Sequence, residues 1–382
     1  MRLILAFIII SYQLSIDAQN QDFKIADGII EYHDLFNTSN NSDVSCYRIP
    51  SLITANNGDL IAAIDERVPS CGDLKLSKDI NIVIRRSSDN GKTWSDIERI
   101  IDFPEGQSAS DPSMILNKTS GEIFMFYNFM DLDKELNVFY FHVIKSNDHG
   151  KTWSQPEDIT SQISKPEWQN DFKFITSGRG IQTASGTLLH CLVNLQNGMH
   201  VFGSKDQGES WYLIDVPLKP ADESKIVELS DNSWMVNSRI SDKGHRYVYT
   251  TSDEGKTWTS KSEVVLSDPS CNASIINYTL NENGEEKQVL IFANANSETK
   301  RENMTVKLSY DDGNTWTNGK TIYQGSSAYS SLTILENGNI GLFFEKDDYK
   351  QNVFVSFSFD WLNSNQIISL KPQHTNQNLQ HQ

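Results

Sequence analysis

The feature that most constrains the fold is an eight-residue motif that occurs five times along the chain. Its pattern is S-x-D-x-G-x-[ST]-W, and Thr replaces the first Ser in the fourth copy; we call it the Asp-box. The copies lie at Ser87–Trp94, Ser146–Trp153, Ser204–Trp211, Thr251–Trp258 and Ser309–Trp316. Successive tryptophans are 59, 58, 47 and 58 residues apart. A motif that recurs at such a period indicates a repeat architecture.

Each Asp-box is predicted to form a tight turn between two strands. The Asp side chain can accept backbone N–H bonds, and the Gly two residues later supplies φ > 0. The flanking segments read as strands, as at Ile80–Ile84 and Val201–Gly203, and helical periodicity is almost absent. One hairpin turn every 47 to 59 residues fits one four-stranded propeller blade per repeat.

The repeats therefore predict an all-β fold, a six-bladed β-propeller with four-stranded antiparallel blades and the Asp-box turns on its periphery. Five blades carry one box each. A sixth is closed by N- and C-terminal strands, the last of them near Ile340–Glu345 and Val353–Phe359. Propellers of this repeat type include both glycosidases and non-enzymatic binding proteins, so the boxes do not decide the function.

The two ends of the chain differ from the repeat region. Met1-Arg2, the apolar run Leu3–Ile10 and a polar stretch that ends at Ala18 have the layout of a signal peptide over residues 1–18. We expect cleavage near Ala18 and a secreted, periplasmic or cell-surface protein. No later stretch approaches the roughly 20 apolar residues of a spanning helix. The propeller is expected over 19–365, and the Gln- and Asn-rich segment 366–382 is expected to be disordered.

The charge balance excludes some partners. Lys and Arg total 33 against 50 Asp and Glu, which gives a net charge of -17. This argues against nucleic acid and anionic membrane surfaces as partners. An anionic small substrate would need a local basic pocket. Four cysteines are too few for a disulfide-built fold, and their wide spacing has no zinc-type pairing.

Seven short motifs lie in order between and around the Asp-boxes. They are Tyr47-Arg48-Ile49-Pro50, Asp65-Glu66-Arg67 with Asp73, Ser108–Ser113, Gly178–Gln182, Glu223 with Arg239, Asn294–Arg301, and Ser327–Leu332 with Gly341–Glu345. Each is weak alone. Together, from about Asp27 to Trp361, they resemble the sialidase (exo-α-sialidase or neuraminidase) family of cellular and bacterial type, which has Asp-box (BNR) repeats and is similar to glycoside hydrolase family 33.

The resemblance implies a role for ten residues. Three are catalytic: Asp73 as acid and base, Glu223 as the activating base and Tyr329 as the nucleophile. Three arginines clamp the substrate carboxylate, and the other residues bind the sugar or orient the clamp. These substrate-binding residues are Arg48, Arg239 and Arg301 for the clamp, Glu345 on Arg48, Arg67 near the 4-hydroxyl, Asp111 on the amide or hydroxyl side, and Gln182 as a rim contact.

Some assignments stay open at this level. Asp79 is a rival to Asp73, Glu228 to Glu223 and Lys300 to Arg301. Cys46 and Cys71 each lie near an arginine of the implied pocket, so they could form a disulfide in an oxidising compartment. Four buried free thiols, with Cys191 and Cys271, are an equally open alternative.

The implied chemistry explains these residue types. Sialic acid has a carboxylate on its anomeric carbon, and three guanidiniums supply planar bidentate donors that lysine cannot imitate. That carboxylate would repel a carboxylate nucleophile, and sialidases are known to use tyrosine instead. A phenol with a pKa of about 10 needs a nearby base. We expect hydrolysis with retention and no cofactor or metal.

The expected substrates are sialylated glycoproteins, glycolipids or oligosaccharides, and a monomer is expected. Transfer of sialic acid to another sugar uses the same catalytic set, with Trp168, Tyr127 and Tyr140 as possible acceptor-site aromatics. A propeller lectin that binds sialosides without cleaving them is the alternative from another class.

Overall fold

A computed structural model describes residues 25–41, 43–282, 284–364 and 368–369. The described chain is all-β, as the sequence predicts. The two α-helices are single turns, α1 Thr160–Ile163 and α2 Phe359–Asn363. Three 3₁₀ turns lie at Thr38–Asn40, Leu74–Leu76 and Pro166–Trp168. The predicted signal peptide lies outside the described residues, as does the predicted tail except for Ile368–Ser369.

The strands follow one another along the chain with short connections. The first nine are β1 Glu31–Asn37, β2 Cys46–Thr54, β3 Leu60–Arg67, β4 Asp79–Ser87, β5 Glu98–Ile101, β6 Gln107–Leu116, β7 Ile123–Asp131, β8 Tyr140–Ser146 and β9 Glu157–Asp158. The next ten are β10 Lys173–Ile175, β11 Gly178–Arg179, β12 Ile181–Gln182, β13 Leu188–Asn194, β14 Gly198–Ser204, β15 Tyr212–Leu218, β16 Ser224–Glu228, β17 Trp234–Ser238, β18 His245–Thr251 and β19 Thr259–Ser267. The last eight are β20 Ser274–Glu282, β21 Glu285–Ala295, β22 Glu302–Ser309, β23 Trp316–Thr317, β24 Lys320–Ile334, β25 Ile340–Lys346, β26 Gln351–Phe357 and β27 Ile368–Ser369.

Most strands pair antiparallel with the strand that precedes or follows them in the sequence. The sheet orders are β1-β26-β25-β24-β22-β21-β20, β2-β3-β4-β6-β7-β8-β9, β10-β13-β14-β15 and β16-β17-β18-β19. β5 pairs with β4, β12 with β13, and β11 with β6, while β23 and β27 form a separate pair. β1 lies along β26 with Glu31 opposite Ser356, so the two ends of the described chain meet in one sheet.

The Asp-box turns are held by their own side chains. In the first box Ser87 Oγ accepts from Gly91 N at 2.9 Å, and Asp89 Oδ1 accepts from Thr93 N at 2.9 Å. Gly91 has φ 85° and its backbone abuts Phe354, so a Cβ there would collide with that ring. The Trp94 ring packs against the same Phe354 at 5.0 Å between centroids. The other box glycines abut side chains of a preceding group of strands, Gly150 at Ile61, Gly208 at Phe124, Gly255 at Ile214 and Gly313 at Met235.

Several strands from different parts of the chain lie side by side. Leu52 N on β2 donates to Ser331 Oγ on β24 at 2.9 Å, and Ser51 Oγ donates to the Gly178 carbonyl at 2.5 Å. Leu332 N donates to Ser274 Oγ at 2.9 Å. We call these contacting strands β2, β6, β11, β16, β20 and β24 the inner strands. Four of the predicted site residues lie on or next to these strands: Arg48 on β2, Asp111 on β6, Glu223 just before β16 and Tyr329 on β24.

Candidate active site

Arg48 and Glu345 form a buried ion pair on β2 and β25. Arg48 Nε donates to Glu345 Oε1 at 2.9 Å, and the Ile49 backbone N donates to the same oxygen at 2.9 Å. Ile49 has φ 71°, at the irregularity of the β2–β3 pairing between Arg48 and Ser51. The other oxygen, Oε2, accepts from Tyr329 N at 3.0 Å. Burial alone lowers the pKa of Arg48, but the Glu345 carboxylate outweighs it and the pKa lies above its usual value.

Tyr329 lies on β24 and its hydroxyl meets a carboxylate and an arginine. Tyr329 Oη donates to Glu223 Oε2 at 2.7 Å, and Arg239 Nη1 contacts both that carboxylate oxygen and Tyr329 Oη, the latter at 3.2 Å. Tyr329 is 8% exposed and Glu223 4% exposed. Burial and the Glu223 charge raise the pKa of Tyr329 well above 10, although Arg239 and Arg301 act in the opposite direction. The resting side chain is therefore a neutral phenol with a hydrogen-bonded base.

Arg301 completes the group of arginines around Tyr329. Its guanidinium lies 5.4 Å from the Tyr329 ring centroid, and that of Arg48 lies 5.5 Å from it. Arg301 Nη1 donates to Tyr349 Oη at 3.2 Å, and the Arg48 guanidinium lies 4.0 Å from the Tyr349 ring centroid. Tyr349 thus contacts two of the arginines, and sequence reasoning missed it. Its one sequence signal is its place four residues after Glu345.

Asp73 lies above the arginines on the loop between β3 and β4. Its Oδ1 accepts from Arg67 Nη1 at 2.5 Å and lies 3.6 Å from Arg48 Nη1, while its side chain is 63% exposed. Partial burial raises the pKa of Asp73, but Arg67 and Arg48 outweigh it and the pKa lies below its usual value. A disulfide joins Cys46 to Cys71 and so ties this loop to the start of β2. Of the two alternatives for these cysteines, the structure has the disulfide, and it leaves Cys191 and Cys271 as buried thiols.

Asp111 and Asp65 form a buried acidic pair beside Arg67. Asp65 Oδ1 accepts from Asp111 N at 2.9 Å, and Asp65 Oδ2 accepts from Arg67 Nη2 at 2.9 Å. Asp111 is 7% exposed with φ 62°, and Asn128 Nδ2 donates to it at 2.9 Å. Burial, then the charges of Asp65 and Glu223, raise its pKa well above the usual value. Asp65, which orients Arg67, was also missed from the sequence.

Gln182 is the one predicted site residue that the structure does not bring into this group. Its Oε1 accepts from Lys118 N at 2.8 Å and its Nε2 donates to Asn117 Oδ1 at 3.1 Å. It lines a cavity together with Thr54, which lies six residues beyond Arg48 on β2. At about 3.3 Å per residue that is roughly 20 Å away. Gln182 therefore lies toward the opposite end of the inner strands.

The rival residues lie elsewhere. Asp79 accepts from Asn81 Nδ2 at 3.0 Å at the start of β4, and Glu228 accepts from Ala184 N at 2.7 Å at the far end of β16. Lys300 lines the same surface cavity as Arg301, but no contact joins it to Tyr329 among the described residues.

The three aromatic residues considered for an acceptor site do not form one. Tyr127 and Trp168 are buried in two different hydrophobic clusters. Tyr140 donates from its hydroxyl to Glu135.

A polar layer lies beneath the arginines and was not predicted either. Lys225 Nζ donates to Asn272 Oδ1 at 2.7 Å, and Asn272 Nδ2 donates to Ser177 Oγ at 2.9 Å. All three side chains are buried. Burial lowers the pKa of Lys225 to about 8. Among the residues described here, no group of three or more His, Cys, Asp or Glu side chains is arranged to hold a metal ion.

The site therefore combines a phenol hydrogen-bonded to a carboxylate with three guanidiniums, a partly exposed carboxylate and a buried acidic pair. The family model for a BNR repeat-like domain matches residues 58–342. Curated sialidases of Bacteroides fragilis and Micromonospora viridifaciens are 30% and 32% identical to the chain over 79% and 83% of its length. The chain belongs to the sialidase family.

These two sialidases are longer than the chain, which spans 60% and 52% of them. The solved Hadza microbial sialidase Hz136 superposes with a TM-score of 0.79 at 27% identity. That match covers 87% of this chain and 69% of the other. Among the described residues, no helix is long and apolar enough to cross a bilayer.

Proposed function

We propose that the chain is an exo-α-sialidase that hydrolyses terminal α-linked sialic acid from glycoproteins, glycolipids or oligosaccharides with retention. The observation that carries the proposal is the contact of Tyr329 Oη with Glu223 at 2.7 Å inside a group of three arginines. A phenol paired with a base is an activated nucleophile. Three guanidiniums beside it suit a substrate whose reacting carbon bears a carboxylate.

The clamp would consist of Arg48, Arg239 and Arg301. Glu345 holds Arg48 through Nε at 2.9 Å and Nη2 at 3.5 Å, which leaves Nη1, 3.6 Å from Asp73 Oδ1, for a ligand. Arg301 donates only to neutral groups among the described residues, Tyr349 Oη and the Ser270 carbonyl. The charge of Arg301 is therefore available to an incoming carboxylate, with which it would form a strong charge-assisted pair.

The reaction would proceed in two displacements. Tyr329 Oη attacks the anomeric carbon as the glycosidic bond breaks, Glu223 takes the phenol proton, and Asp73 gives its proton to the leaving oxygen. In the second step Asp73 takes a proton from water, whose oxygen attacks the same carbon. The bond to Tyr329 breaks and Glu223 returns the proton. Two inversions at one carbon give net retention.

Asp73 must be protonated to act as the acid, yet Arg67 and Arg48 lower its pKa in the empty site. A substrate carboxylate that pairs with Arg48 would neutralise much of that charge. The bound leaving group would also exclude water from Asp73. Both effects raise the pKa of a carboxyl group toward the range of a general acid. Arg67 would then bind near the 4-hydroxyl, and Asp111 would hydrogen-bond to the amide or hydroxyl side of the sugar.

The test is turnover of a fluorogenic α-sialoside by the purified chain, with proton NMR of the first-formed anomer. For Tyr329→Phe we expect turnover to fall by on the order of 10²-fold or more, because nucleophile and proton transfer are lost together. Tyr310→Phe is the matched control, since that hydroxyl is peripheral and bonds only to Asn363 among the described residues. Full activity in Tyr329→Phe would refute the mechanism.

Two other outcomes would change the assignment. Sialoside binding without turnover by the unmodified chain would favour a lectin. A sialylated acceptor, formed in preference to free sialic acid when lactose is present, would favour transfer.

We also infer that the fold is a six-bladed propeller over 19–365. The long sheets divide into four-stranded units, each built from consecutive strands except the unit that β1 completes. Box glycines link each unit to the one before it, and the first box reaches β26 of the last unit through Phe354. The box glycines supply five links between neighbouring units, and the hydrophobic cluster that β20–β24 share with β25–β26 supplies the sixth. Six links between six units close a ring.

We propose that the protein is exported after cleavage near Ala18 and acts as a monomer. The disulfide between Cys46 and Cys71 fits an oxidising compartment. Mass spectrometry of the N-terminus in culture supernatant and size-exclusion chromatography with light scattering test these two statements.

A further inference from the structure

A second cavity lies at the end of the inner strands opposite the arginine group. Its volume is about 700 Å³, and its wall includes Thr54, Lys118, Arg179, Glu228 and Thr333. Thr54 is the last residue of β2, and Thr333 is the last but one of β24. Their hydroxyl oxygens are 2.8 Å apart. A cavity of this size falls within the usual range for small-molecule sites, about 300–1,000 Å³.

The cavity contains two cations, Arg179 and Lys118, that form no salt bridge with a carboxylate among the described residues. Arg179 donates one hydrogen bond there, from Nη1 to the Leu332 carbonyl at 3.1 Å, although a guanidinium has five N–H donors. Lys118 forms no ion pair within the described chain. Burial lowers the pKa of Arg179 to about 10. Lys118 is exposed to solvent; partial desolvation and the nearby Arg179 charge lower its pKa, while Glu228 acts in the opposite direction. The chain has a net charge of -17, so two neighbouring cations without a salt bridge indicate a place where an anion can bind.

The charge of the wall indicates what could bind. Lys118 and Arg179 contribute two positive charges and Glu228 one negative charge, so the wall carries one excess positive charge. Glu228 is already held by the Ala184 backbone N at 2.7 Å and does not reach Arg179. A monoanion would balance this wall. The hydroxyls of Thr54 and Thr333 add neutral groups that can bond to ligand hydroxyls.

We propose that this cavity binds a small hydroxylated carboxylate, an acidic monosaccharide in size and charge, at a site separate from the one where hydrolysis is proposed. The carboxylate pairs with Arg179 and Lys118, and its ring hydroxyls face the threonines. The buried layer of Lys225, Asn272 and Ser177 lies between the two ends of the inner strands. The second site therefore binds its ligand independently of catalysis.

The test is calorimetric titration of the full-length protein with glucuronate and, in a separate series, with inorganic phosphate. Because the arginine group can also bind anions, the titrations use Arg301→Gln as the parent. We expect saturable glucuronate binding to the parent. Adding Arg179→Gln should weaken it about tenfold or more, the effect of losing a charge-assisted hydrogen bond. Lys118→Gln should weaken it in the same direction, and Lys92→Gln on an exposed turn should not change it.

The outcomes separate this proposal from that of the active site. Arg179→Gln in the otherwise unmodified chain should turn over the sialoside at the normal rate, which also reports correct folding. If that variant does not fold, Lys118→Gln decides alone. Absence of saturable glucuronate binding, binding of phosphate alone, or unchanged affinity in both cavity variants would each overturn the proposal.

Discussion

Glu345→Gln is the substitution for which the structure gives the sharpest expectation. The glutamate is fully buried, and its two oxygens accept four hydrogen bonds. The donors are Arg48 Nε at 2.9 Å and Nη2 at 3.5 Å, Ile49 N at 2.9 Å and Tyr329 N at 3.0 Å. A glutamine has the same shape but one oxygen and one NH₂ group. Either orientation therefore places an N–H donor against another N–H donor.

The cost follows from two losses. Arg48 is 8% exposed, and breaking a buried ion pair by removing one partner costs about 3–5 kcal/mol. That range includes the unpaired Tyr329 N–H, whose desolvation alone costs about 1–3 kcal/mol. The entropy of unfolding of roughly 340 residues is about 0.7 kcal/mol/K. The melting temperature should therefore fall by about 4–7 °C.

Differential scanning calorimetry of the two proteins measures this shift, and sialoside kinetics accompany it. Because Arg48 loses the partner that orients it, kcat/KM should fall at least about tenfold. Glu286→Gln is the matched control, since that glutamate is exposed on a hairpin and such changes stay within about 0.5 kcal/mol. If the melting temperature of Glu345→Gln lies within about 1 °C of that of the parent, Glu345 does not stabilise Arg48 as inferred.

Three further predictions concern the loop and the acidic pair. Cys46→Ser with Cys71→Ser opens a loop of 25 residues and should cost about 3.5 kcal/mol, a calorimetric shift of about 5 °C; an unchanged melting temperature would contradict this. For Asp73, the alkaline fall of kcat should lie at higher pH than that of kcat/KM, because substrate raises a pKa that arginines lower in the free enzyme; coincident profiles would refute it. Asp111→Asn should stabilise the protein at pH 7, because burial and the neighbouring carboxylates disfavour the ionised Asp111 side chain, while slowing hydrolysis. Because the pKa of Asp111 is higher in the folded than in the unfolded protein, the carboxyl group destabilises the fold increasingly as the pH rises above the unfolded value of about 3.9. The stability difference between the variant and the parent should therefore be larger at pH 7 than at pH 4; an equal difference at both pH values would refute this prediction.

The all-β fold was predictable because its signal is local. Each Asp-box places the acceptor Asp, the positive-φ Gly and the packing Trp within eight residues, and alternating strands flank the turns. The pairing of β1 with β26 joins residues about 320 positions apart. No local sequence pattern specifies that pairing. The sequence indicates only that the last propeller blade lacks a strand unless the N-terminal strand completes it. The ends of strands also shifted by one or two residues, as at β26, where α2 begins at Phe359.

The site was predictable only as far as the motifs reach. Arg48, Glu223 and Tyr329 lie together as the resemblance implies, but Tyr349 could not be found from its own neighbourhood. It matters through contacts with Arg48 on β2 and with Arg301 just before β22, both far from it in sequence. Gln182 was expected at the rim because its glycine-rich segment permits close approach to a ligand. The sequence of such a segment does not determine at which end of the inner strands it lies.

The sequence by itself determined the repeated turns, the strands between them and the residue types of the site, because each depends on groups within a few residues of one another. The tertiary structure decided which partner each group has. Tyr329 pairs with Glu223 across 106 residues rather than with Glu228, and Cys46 pairs with Cys71 rather than remaining a thiol. Both choices depend on distances through space, and these exist only when strands from separate repeats are brought side by side.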